Sequence, residues 1–160
     1  MSELKQVLAS VKDGTLSVED ALLKIRTQPF EDIGFAKVDL HRKFRQGVAE
    51  VIYGAGKTPA QILGILQAMQ EHGQKTVLIT RLREEAAEEI GGEIPLQYDK
   101  TSRVGIVGTL PQPDGIGKIA VVTGGTSDIP VAEEAALTAE VHGSRVVRLY
   151  DVGVAGLHRL

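Results

Sequence analysis

Residues 118–150 read KIAVVTGGTSDIPVAEEAALTAEVHGSRVVRLY, and the order of patterns in that stretch decides the fold class. Lys118 to Thr123 is an apolar β-type run, Pro130 to His142 is helical, and Arg145 to Tyr150 is a second β-type run. Two strands joined by a helix-length crossover point to a parallel βαβ unit, because antiparallel neighbours need only a tight turn. Between the first strand and the helix stand Thr123, Gly124, Gly125, Thr126, Ser127 and Asp128. Glycines let backbone approach a ligand, and the N–H groups of a helix start, with Thr and Ser hydroxyls, suit a phosphate. Open α/β sheets bind ligands at the carboxyl ends of their strands. The plainer alternative is a tight turn with Ser127 or Asp128 as an N-cap.

The second strand runs into Asp151-Val152-Gly153-Val154-Ala155-Gly156-Leu157-His158-Arg159, which a parallel arrangement places beside the first loop. Arg159 can pair with phosphate or carboxylate, and His158 can transfer protons, which makes it a candidate catalytic residue. A turn and helix start with solvated polar residues is the alternative. Asp128 or Asp151 can hold Mg²⁺ through water and substrate phosphate, though nothing local demands it. His41, His72, His142 and His158 are scattered without the paired spacing of metal ligands.

Upstream the patterns are shorter. Leu4, Val7, Leu8 and Val11 share a helical face that Gly14 ends, and Ser17 caps a helix over Val18 to Ile25. Thr58, Pro59 and Gln61 open a third helix, apolar at Ile62, Leu63, Ile65, Leu66 and Met69, which stops at Gly73. Thr76 to Thr80 reads as a buried strand and Arg81 to Ile90 as a charged helix, with Glu84, Glu85, Glu88 and Glu89 on a solvated face. Pro95 to Tyr98 and Arg103 to Val107 flank Asp99-Lys100-Thr101-Ser102, a hairpin turn. Pro111 to Gly117, with two prolines, two glycines and an Asp, is the expected domain boundary.

Gly54-Ala55-Gly56-Lys57-Thr58 invites a P-loop reading, which fails because Val51 stands where the first glycine is required. No strand-to-helix unit is expected around it. What remains is a cationic stretch, Arg42, Arg45 and Lys57 included, for an anionic ligand, a neighbouring subunit or plain solvation.

The formal net charge is −3 over 160 residues with no basic run, and aromatics make up 4%, so a nucleic-acid footprint is not expected. No apolar run approaches the roughly 18 residues of a membrane span, and Met1 to Ser10 lacks the apolar core of a signal peptide. There is no cysteine, which rules out disulfides and a thiolate within these residues. The cytoplasm is the default location.

Two motifs together carry a resemblance. Phe35-Ala36-Lys37-Val38-Asp39 through Glu50-Val51-Ile52-Tyr53-Gly54-Ala55-Gly56-Lys57-Thr58 resembles the N-terminal signature of LarB proteins. Thr123 to Ala135 and Asp151 to Arg159 look like that family's first two loops, in the same order. The resemblance implies an α/β protein: an N-terminal α+β domain over 1–109, a linker at 110–117, and at 118–160 the incomplete start of a PurE-like three-layer αβα domain with a parallel sheet. It implies nicotinic acid adenine dinucleotide as substrate. The pyridinium ring is carboxylated with CO₂ or bicarbonate and the phosphoanhydride hydrolysed, on the route to a nickel-pincer cofactor. Thr126, Ser127 and Asp128 would grip phosphate or ribose, with His158 and Arg159 lining the same pocket, and a homo-oligomer, an octamer in PurE-like domains, is implied.

A thiolate adding to the electron-poor ring would create an enamine able to attack CO₂. That cysteine belongs to the family's later half, so the expectation is a partial chain without carboxylase activity and of low stability alone. Two rivals remain. PurE-like carboxylation of aminoimidazole ribonucleotide uses a Gly-Ser-x-Ser-Asp loop, but Gly125 stands where its first Ser would be. The other is a non-catalytic nucleotide-binding module.

Overall fold

A computed structural model describes residues 3–27, 30–39, 42, 50–153 and 158 of an α/β protein. The chain forms two compact units, one of residues 1–50 with 64–74, the other of 51–63 with 75–160.

The first unit begins with a helical pair, α1 (Glu3–Lys12) and α2 (Val18–Thr27). Gly14, at φ +72°, turns the chain between them. Ser17 caps α2 as expected: its Oγ accepts the Asp20 N–H at 3.0 Å and donates to Asp20 Oδ2 at 2.7 Å. A hairpin of β1 (Phe30–Asp32) and β2 (Lys37–Asp39) follows, which the sequence reading missed. Three-residue strands are too short to show alternation. Their turn is closed by the Ile33 N–H on the Ala36 carbonyl (3.0 Å) and the Gly34 N–H on Asp32 Oδ1 (2.9 Å).

The second unit holds a mixed sheet in the order β3-β4-β6-β5. Its strands are β3 (Ile52–Tyr53), β4 (Val77–Thr80), β5 (Leu96–Asp99) and β6 (Val104–Val107). Helix α3 (Pro59–Glu71) joins β3 to β4, and those two strands run parallel. Gly54 to Thr58 therefore does lie on a strand-to-helix connection, contrary to expectation. The strand is two residues long and one of them, Tyr53, is exposed, so it leaves no apolar run to read. Both halves of a capping box open α3: the Thr58 N–H donates to Gln61 Oε1 (3.0 Å) and the Gln61 N–H to Thr58 Oγ1 (3.2 Å).

Helix α4 (Glu84–Glu93) starts three residues later than its charge pattern suggests. Leu82 is fully buried and its N–H is taken by the Arg103 carbonyl at 2.8 Å, so the chain stays extended there first. The β5–β6 hairpin turns as read, with Ser102 N–H and Oγ both donating to Asp99 Oδ2 at 3.0 and 2.9 Å.

Strands β7 (Ile119–Val122) and β8 (Val146–Leu149) pair in parallel across helix α5 (Ile129–Val141), which is the βαβ unit that the sequence announces. Helix α5 also serves the mixed sheet: Leu137 and Val141 pack against Leu78, Val104 and Ile106. Among the described residues no helix is long and apolar enough to cross a membrane.

Gly108 sits at φ +94°, where a Cβ would stand 2.0 Å from the Lys75 carbonyl oxygen. Gly108→Ala is expected to cost more than about 2 kcal/mol. Gly91 on α4 has open space around it, so Gly91→Ala should raise stability by about 0.5–1 kcal/mol. Urea midpoints compared at equal slope check both.

Candidate functional site: two loops at the carboxyl edge of β7 and β8

Thr123 ends β7 and is buried. Its N–H donates to the Leu149 carbonyl (3.1 Å), and its own carbonyl accepts the Val152 N–H (3.0 Å). Its Oγ1 accepts the Asp151 N–H at 3.0 Å. One side chain and its two backbone groups thus hold the loop after β7 against the loop after β8. Glycine is needed on the far side: a Cβ on Gly153 would lie 2.3 Å from the Gly124 carbonyl oxygen. Asp151 turns at φ +59°, a conformation that Asp tolerates better than most residues.

The first loop continues through Gly124 and Gly125 into a single 3₁₀ turn, Thr126–Asp128, with the Asp128 N–H on the Gly125 carbonyl at 3.3 Å. Helix α5 starts immediately after, with Pro130 in its first turn. Asp128 occupies the N-cap position but makes no side-chain cap hydrogen bond. The plain N-cap alternative is thus not realised at Asp128. Thr126, Ser127 and Asp128 are exposed, which leaves two hydroxyls and a carboxylate at the surface of the turn before α5.

The other expected site residues fall as follows. Gly153 and Asp151 are half-buried beside Gly124, and His158 is exposed. Arg159 and Arg45 lie outside the described residues. Arg42, in the first unit, pairs with Glu50 at 3.5 Å. Lys57, in the second, donates from Nζ to the Tyr53 carbonyl at 2.9 Å. Among the described residues no three His, Cys, Asp or Glu side chains converge as metal ligands.

The sequence reading missed the charged group directly under this edge. Arg148 on β8 donates from Nε and Nη2 to Glu133 at 2.8–3.0 Å, and from Nη1 and Nη2 to Glu140 at 2.6 and 2.9 Å. Tyr150 OH donates to Glu133 Oε2 at 2.6 Å. The Arg148 hydrogen bonds, with the Tyr150 bond adding, hold the Glu133 carboxyl below its ordinary value, against an opposing effect of burial. Hydrogen bonds to Glu140 and Glu133 raise Arg148 in turn. Burial, then the bond to Glu133, pushes Tyr150 up to about 12, so its phenol stays a donor at neutral pH. The available signal was spacing: Glu133 and Glu140 are two turns apart on one helix face, and Arg148 and Tyr150 share one face of a strand.

Open α/β sheets bind their ligands outside the carboxyl ends of the strands, where these two loops lie. The fold defines an α/β protein whose parallel βαβ unit carries two interlocked loops at its carboxyl edge. The sequence profile of the LarB/PurE-like N-terminal domain matches residues 30–109, and the chain belongs to that family. It is also 36% identical over 166 aligned residues to an uncharacterized protein of Methanocaldococcus jannaschii. That alignment covers 98% of this chain and 64% of the relative, so the chain spans under two thirds of the relative's length. The matched profile ends before β7, whereas the alignment to the archaeal relative spans nearly the whole chain.

Two outcomes follow from this geometry. Thr123→Val removes the acceptor of the Asp151 N–H in a buried setting and should cost about 1–3 kcal/mol, measured by urea unfolding. The lowered Glu133 favours the folded state while it is ionised. That contribution is fully present above 4.5, its ordinary value, and is lost as pH falls through the lower folded value. Stability of the wild type should therefore fall more steeply with acid below pH 4.5 than that of Glu133→Gln.

Proposed function

We propose that the loop pair after β7 and β8 binds the phosphate and ribose of a pyridine nucleotide, within a LarB-type enzyme acting on nicotinic acid adenine dinucleotide. The observation that supports it most is the locking of the two loops by Thr123 and Gly153, which fixes exposed backbone and hydroxyl donors beside one another. Family membership narrows the class of substrate.

In this reading Thr126 and Ser127 donate to phosphate oxygens, and Asp128 accepts from a ribose hydroxyl. Asp151 and Gly153 close the other side of the ligand, with His158 and Arg159 contributing from the segment beyond. The overall reaction exchanges a ring C–H proton for a carboxyl group from CO₂ or bicarbonate. Water then splits the phosphoanhydride, releasing AMP and the biscarboxylated mononucleotide. The 160 residues contain no cysteine, so a thiolate step has no donor among them; what they supply is the grip on the nucleotide. No protein-built metal site is part of the proposal; any Mg²⁺ would come with the substrate's phosphates. The cytoplasm and a homo-oligomeric state belong to the same proposal.

A purely binding role is the second reading, favoured by the absent cysteine. Calorimetry with nicotinate mononucleotide tests the loop assignment under both readings. Binding to the wild type, weakened about tenfold in Ser127→Ala (about 1.4 kcal/mol), is the expected result. Binding of aminoimidazole ribonucleotide in preference to the pyridine nucleotide would move the chain to purine chemistry, and binding of neither would remove the loop assignment.

A further inference from the structure

Helices α1 and α2 are ten residues each, a length at which an isolated helix is marginal in water and depends on packing. The seam between them is small. Among the described side chains of the pair only Ala21 is buried, with Val7, Val11 and Ile25 half-buried around it. Leu8, Val18 and Leu22 are instead exposed, at 56, 56 and 49%. Both helices lie ahead of the matched family profile, which starts at residue 30, and outside the unit that holds the candidate site.

Helical phase gathers the exposed residues on one side of the hairpin. The short connection 13–17 makes α1 and α2 antiparallel neighbours. At about 100° per residue, Leu8 stands about 80° round α1 from the Val7–Val11 direction, with Lys12 and Lys5 continuing the same arc. Leu22 stands about 80° round α2 from the Ala21–Ile25 direction, with Val18 before it and Glu19 beyond it. The helices run in opposite directions, so equal rotations from their shared seam emerge on the same side. That side is aliphatic in the middle, cationic along its α1 rim and acidic at Glu19 on its α2 rim. Lys5, Lys12 and Glu19 are exposed, and no ion pair among the described residues engages them. Lys12 and Glu19 both stand beside the connection, at the same end of the hairpin.

We propose that this side of the α1–α2 hairpin docks on the same side of a second copy of the chain, closing a four-helix bundle. A two-fold axis parallel to the helices sets α1 of one copy on α2 of the other, antiparallel and at unchanged height. Leu8 of one copy then meets Val18 and Leu22 of the other, and Lys12 of one meets Glu19 of the other, each contact made twice. The opposite charges of the two rims select a second copy over an arbitrary apolar partner. Helices about 15 Å long make a patch at the small end of specific interfaces, so a weak, concentration-dependent association is the expected form. The contact does not depend on the nucleotide reading given above.

Sedimentation equilibrium of the full chain, from about 10 μM to about 1 mM, tests the contact. The wild type should show a step that doubles the particle mass as concentration rises. Lys12→Glu and Glu19→Lys each set like charges opposite one another, and each should weaken that step at least about tenfold. An equimolar mixture of the two variants should recover wild-type association, because both of its rim contacts again oppose a lysine to a glutamate. Leu22→Glu, at an exposed position, should abolish the step, whereas Val147→Lys, exposed on β8 in the other unit, should leave it intact. A wild type of constant mass throughout overturns the proposal. So does a doubling that the α1 and α2 variants leave unchanged, or charge variants that mixing does not rescue.

Discussion

Parallel strands expose two faces that both need cover, and in the second unit one helix meets much of that need. Helix α5 presents Leu137 and Val141 to the mixed sheet and Glu133 and Glu140 to Arg148 on β8. The guanidinium is half-buried and fully committed to two carboxylates. Removing either carboxylate would leave part of a half-buried guanidinium without its hydrogen-bond partners, which is destabilising. The position of α5 is thus specified by a charge constraint on one side and by packing on the other, and both loops of the candidate site hang from its beginning and from the end of β8.

That constraint explains why the site is a pair of loops and not two separate turns. Tyr150 is tied to Glu133 one residue before the second loop starts, and Thr123 takes up the next amide. Gly153 then runs against the Gly124 carbonyl with no room for a side chain. A ligand meeting these groups finds them already ordered, so less conformational entropy is lost on binding.

Local chemistry was legible in the sequence wherever one segment contained all the partners. The Thr58/Gln61 capping box, the Ser17 cap, the Asp99–Ser102 turn and the βαβ order at 118–150 are each complete within a few residues or one periodic pattern. What escaped depends on register between segments. β3 is recognised only through its pairing with β4, and the β1–β2 hairpin only through its turn bonds. The Arg148 group needs the phase of α5 against β8. Of the candidate site, the residues of the first loop were readable from composition and order. Thr123 as the residue that locks the loops was not, because a buried hydroxyl at a strand end looks like any β-branched core position.

The central claim is that one nucleotide occupies both loops at once. Backbone amide spectra of the isotope-labelled chain, recorded while nicotinate mononucleotide is added, address it directly. The account predicts perturbed amides at both Gly124–Asp128 and Asp151–Gly153, moving together along a single saturation curve, with the β5–β6 hairpin unaffected. Perturbation of one loop without the other, or of residues away from both, would contradict it.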